Sequence, residues 1–103
     1  MVAARIGIGW VNKCFEGETA SDIMSEVEEY QDFGCLLMMG RANEGKKGQK
    51  ELDKLEAFLQ KYYERSLTMS DLENLNIKLS IGNIVCYGIA EGEEAIAKLK
   101  AES

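Results

Sequence analysis

Three thiols, one lysine-bearing glycine loop and a run of carboxylates are the chemically capable residues of this 103-residue chain. The thiols are Cys14, Cys35 and Cys86, and there is no histidine to activate any of them. Without histidine, Ser-His and Cys-His couples are excluded, as are zinc sites built on imidazole. Three cysteines cannot supply the four thiolates of an iron–sulfur cluster. Their odd number and wide spacing, with no C-x-x-C, argue against a disulfide framework and for a reducing, cytoplasmic setting. Isolated cysteines act mostly as small buried hydrophobes. No catalytic residue, metal ligand set or cofactor is therefore assigned.

The glycine loop is Gly40-Arg41-Ala42-Asn43-Glu44-Gly45-Lys46-Lys47. It fits all but the last position of G-x-x-x-x-G-K-[ST], after an apolar run and before a helix. Backbone amides at a helix start hold phosphate in that context. Lys47 stands where a hydroxyl would hold magnesium, and no apolar strand ends in an aspartate to complete the metal site. The surviving expectation is an anion or nucleotide site made of Arg41, Gly45, Lys46, Lys47 and Lys50, with at most slow chemistry.

The carboxylates are more unusual. Between Cys14 and Gly40 there are seven acids, Glu16, Glu18, Asp22, Glu26, Glu28, Glu29 and Asp32, and no base. Asp22, Glu26 and Glu29 follow i, i+4, i+7 spacing, one stripe of a helix. Like charges at this spacing cost a few tenths of a kcal/mol each. A basic partner would relieve that repulsion and gain in association rate. The first expectation is thus a small binding module, an inhibitor, immunity-type or accessory subunit. It docks a basic protein through Asp22, Glu26, Glu28, Glu29 and Asp32. The competing view is a solvated face that maintains solubility.

With 12 basic and 18 acidic side chains the net charge is -6, which argues against direct nucleic-acid binding. The longest apolar stretch, Cys35 to Met39, is five residues, against the roughly 20 that span a membrane. Self-association through an uncovered sheet face stays open.

The elements that position these groups follow from periodicity. Ala3 to Val11 reads as a strand, with Ile6, Ile8 and Trp10 on one face and Gly7 and Gly9 marking close approach by a neighbour. Asn12 to Glu18 reads as a loop. Thr19 and Asp22 open a helix with Ala20, Ile23, Met24, Val27 and Tyr30 inward, closed by Gly34. Cys35 to Met39 reads as a buried strand, parallel to the first in a βαβ unit. Gln49 to Ser66 is a helix with Leu52, Leu55, Phe58, Leu59 and Tyr62 inward, and the adjoining Tyr62 and Tyr63 cannot both face the core squarely. Thr68 and Asp71 cap one further turn. Asn76 to Ala90 reads as a hairpin turning at Gly82-Asn83, with Ile81 opposite Ile84, Leu79 opposite Cys86, and Val85, Tyr87 and Ile89 on a second covered face. Glu93 to Ala101 is a last helix, its charges matched to its dipole. The expected fold is one α/β domain over residues 1–103. It has two layers, a small mixed four-stranded sheet with about three helices, in the order β-α-β-α-β-β-α.

Overall fold

The computed structural model describes residues 1–9, 11–30, 34–35, 38–39, 42, 48–80 and 82–102. Its centre is β1, Val2–Ile8, where Ala3, Ala4, Ile6 and Ile8 are wholly buried. At Gly9 the backbone turns with φ 63° and the chain returns as β2, Val11–Gly17, so Asn12 to Glu18 is mostly strand rather than loop. Only Val11, Cys14 and Phe15 are apolar there, because β2 is an edge strand and edges carry polar and charged side chains.

Thr19 caps α1, Ala20–Glu29, with a complete capping box through Asp22. The expected inward stripe of Ala20, Ile23, Met24 and Val27 is buried, with Tyr30 packed at its end. The helix ends at Glu29, ahead of Gly34, whose N–H donates to the Tyr30 carbonyl at 3.0 Å. The expected buried parallel strand is overturned where it can be checked. Cys35, Met38 and Met39 are helical and exposed, Met38 by 73%. A short apolar run has no period that distinguishes strand from helix.

Helix α2, Gln49–Tyr63, buries Leu55, Leu59 and Tyr62, with Leu52 and Phe58 partly covered and Tyr63 exposed, as the spacing requires. Its end is a Schellman turn in which Arg65 N–H reaches the Tyr62 carbonyl and Ser66 N–H the Lys61 carbonyl. Arg65 takes the left-handed position, φ 60°, that glycine usually fills. Thr68 and Asp71 form a second capping box on α3, Met69–Glu73.

Strands β3, Asn76–Leu79, and β4, Gly82–Glu91, form the second hairpin. Leu79 pairs with Gly82 and Ile77 with Ile84, so the turn comes before Gly82, which already belongs to the strand. The partner shift is even, so Ile77, Leu79, Ile84 and Cys86 keep the core face. Gly82 sits there because its φ is 132° and an added Cβ would lie 2.5 Å from the Gly9 Cα. Gly9 N–H donates to the Asn83 carbonyl at 3.0 Å, which locks the two hairpin turns together.

The sheet order is β2-β1-β4-β3, antiparallel throughout, so the expected parallel βαβ unit is absent among the described residues. An α+β fold with a four-stranded sheet and helices stands, its fully described elements running β-β-α-α-α-β-β-α. The main core lies between one sheet face and helices α1 to α3. Helix α4, Glu93–Ala101, packs on the reverse face through Ile96 and Leu99 against Ala3. Arg5 Nη1 ties its end to the sheet by donating to the Glu102 carbonyl at 2.7 Å. A bulge between Arg5 and Ile6 shifts the β4 register, bringing Ile89 toward the main core and leaving Tyr87 52% exposed on the reverse face. That face is covered by α4 only in part.

Two outcomes follow from this packing. Ile6→Ala is expected to cost about 2–5 kcal/mol in urea unfolding, because β1 has no room to collapse onto the void. Glu51 and Asp71 are both held below their ordinary values of 4.5 and 3.8, Glu51 chiefly by the Lys78 N–H and Asp71 chiefly by the Lys61 ammonium. Their contribution to stability is present above those ordinary values and is lost as pH falls through the depressed folded ones. Glu51→Gln, which still accepts a hydrogen bond but does not titrate, should lose less stability between pH values of about 6 and 3 than the parent chain.

Candidate functional site

The acidic stripe is divided by tertiary contacts. Asp22 accepts the Thr19 N–H at 3.2 Å as part of the α1 cap and lies 3.6 Å from Arg65 Nη1. The left-handed turn at Arg65 is what brings that guanidinium back to α1. Glu28 accepts the Tyr62 hydroxyl at 2.6 Å and the Tyr63 hydroxyl at 3.4 Å, joining α1 to α2. Burial first, and then Glu28, raise the Tyr62 pKa, so the phenol stays a donor. Asp22 and Glu28 thus have structural employment.

Glu26 and Glu29 do not. Both are exposed, and among the described residues neither makes an ion pair or a side-chain hydrogen bond. Asp32 lies outside the described residues. The seven-acid run therefore presents two unpaired charges on α1 rather than a continuous stripe.

These two carboxylates border an open groove of about 980 Å³ between α1 and the free edge of β2. Its floor is Phe15 edge-on to Tyr30 at 6.0 Å, with Lys13 Nζ 4.1 Å from the centre of the Tyr30 ring. The far wall holds Glu16, ion-paired to Lys100 of α4. With the Met1 ammonium paired to Glu18, the remaining charge in the groove is Glu26 and Glu29 against Lys13, whose ammonium rests on aromatic faces.

The β2 edge was not legible as part of a site, although its signal is present. Lys13 and Phe15 alternate with Asn12, Cys14 and Glu16 directly after a glycine turn, which is strand spacing with one apolar position per face. Tyr30 and Lys100 come from elements distant in sequence and carry no local mark.

Of the anion-loop residues, Arg41, Gly45, Lys46 and Lys47 lie outside the described residues, and Lys50 is exposed in the first turn of α2. No cluster of metal-ligating side chains occurs among the described residues, and none of their helices is long and apolar enough to cross a membrane. The three cysteines are free. Burial raises the Cys14 and Cys86 pKa values, Lys100 opposing the effect at Cys14, so neither thiol is an activated nucleophile. No protein-family model, curated protein or solved structure matches the chain.

Thiol reactivity checks this arrangement. With iodoacetamide at a pH of about 8, exposed Cys35 should alkylate at least about tenfold faster than Cys14 or Cys86, read by peptide mass spectrometry. Equal rates at the three sites would contradict the burial of β2 and β4.

Proposed function

We propose that this protein is a binding module that docks a basic protein surface along α1, as an inhibitor, immunity-type or accessory subunit does. The observation that carries this reading is the pair Glu26 and Glu29, exposed and without an ion-pair partner among the described residues, beside an open groove. Two carboxylates three residues apart on a helix repel each other. Among the described residues Lys13 rests on aromatic rings, Lys100 pairs with Glu16 and the Met1 ammonium with Glu18, so no cation is paired with Glu26 or Glu29 to offset that repulsion. An incoming lysine or arginine does so, and it also speeds encounter with the right surface. Asp22 and Glu28 contribute to the field but are committed to Arg65, the α1 cap and the tyrosines. Free thiols and a chain without histidine suit a reducing cytoplasmic role based on recognition.

The test uses the protein as bait in its native host and then the purified partner. Replacing both groups, E26Q/E29Q, should weaken the complex about tenfold at low salt and flatten its salt dependence. Glu28→Gln, whose amide oxygen still accepts from Tyr62, should leave affinity within about twofold. Affinity unchanged by E26Q/E29Q overturns the proposal.

A further inference from the structure

Sheets end in edges, and the two edges of this sheet are treated differently. On β3, alternate backbone groups point away from β4, and the outward N–H of Lys78 is taken by Glu51 Oε2 of α2 at 3.2 Å. That edge is short, four residues, and is blocked at Lys78. On β2 the edge runs seven residues. In a hairpin with a two-residue turn, Ile8 and Val11 are a hydrogen-bonded pair, and every second pair after them repeats it. The backbone groups of Asn12, Cys14 and Glu16 therefore point away from β1. Among the described residues no backbone or side-chain group bonds to them.

We infer that β2 receives an extended segment of the partner as a fifth strand, and that this segment carries lysine or arginine at alternate positions. The inference rests on the docking role proposed above and names how the partner is held. The groove lies along the free edge, so a strand paired with Asn12, Cys14 and Glu16 occupies it. Main-chain hydrogen bonds supply affinity in strand addition, and alternate side chains supply specificity. Side chains of the added strand that point to the α1 side meet Glu26 and Glu29. Alternate residues of a strand are about 7 Å apart and helix positions i and i+3 about 5–6 Å, so successive basic side chains reach both carboxylates.

A second copy of the chain is the obvious competitor for a free edge. Pairing β2 with β2 about a two-fold axis sets the α1 flank of one copy beside the same flank of the other, with Glu26 and Glu29 outnumbering Lys13 on both sides. Like charges juxtaposed in this way disfavour the pair, and each chain already carries a net charge of -6.

The probe is a blocked heptapeptide of alternating lysine and valine, with an alternating glutamate–valine peptide as control. Amide hydrogen exchange and two-dimensional NMR follow the intact protein at low salt. The lysine peptide should slow exchange at Asn12, Cys14 and Glu16 by about tenfold or more at saturation, leaving the Lys78 amide unchanged. The glutamate peptide should bind at least about tenfold more weakly, and E26Q/E29Q should remove most of that difference. Lysine-peptide binding that is sensitive to E26Q/E29Q but protects none of the three amides overturns strand addition and leaves the acidic docking role standing. Protection that is equal for both peptides overturns the basic selectivity, and with it that role. Protection that grows with protein concentration in the absence of peptide assigns the edge to a second copy and overturns the inference.

Discussion

The whole arrangement depends on β1 being paired along both of its sides. A strand buried on its core face, with Ala4, Ile6 and Ile8 inaccessible to water, cannot leave its amides and carbonyls unsatisfied. Pairing with β2 on one side and β4 on the other satisfies them without any help from solvent. Two hairpins, abutting at Gly9 and Gly82, are the economical way to flank one central strand. Once that is done, the helices distribute themselves by their apolar stripes, with α1 to α3 on the main core and α4 on the reverse face.

Closing the centre moves the open hydrogen-bonding groups outward, to β2 and β3. The chain disposes of the second by proximity, since α2 leads into α3 and β3 and so carries Glu51 past the Lys78 amide. The first is bordered instead by a helix whose outer face is acidic. The difference between the edges lies in which helix each strand ends up beside, and it is a difference of electrostatics as well as of hydrogen bonding.

The acidic run shows how tertiary contacts redistribute charge. Asp22, Glu26 and Glu29 have the spacing of a single stripe, and the helix that carries them forms as its periodicity requires. Yet Arg65 arrives from the end of α2, and the tyrosines of the same helix take Glu28. Tyr62 thereby combines a core role with a polar link, and exposed Tyr63 adds its hydroxyl to the same carboxylate. What remains outward on α1 is a narrower negative site than seven acids suggest.

Local signals determined a good deal on their own. The capping boxes at Thr19 and Thr68, the apolar faces of α1 and α2, the exposed position of Tyr63 and the bounds of α4 follow from i, i+3 and i+4 chemistry within one segment. The β3–β4 hairpin was legible as a hairpin, though its turn was set by contact between Gly82 and Gly9, a partner in another hairpin. Strand neighbours, edge status and the fate of the Cys35–Met39 run needed the folded chain. A strand is completed by a distant partner and a helix by its own backbone, so helices can be read from the residues beside them and sheets cannot. The same reason separates the carboxylates, placed on α1 by sequence, from the groove they border, which exists only where β2 and α1 meet.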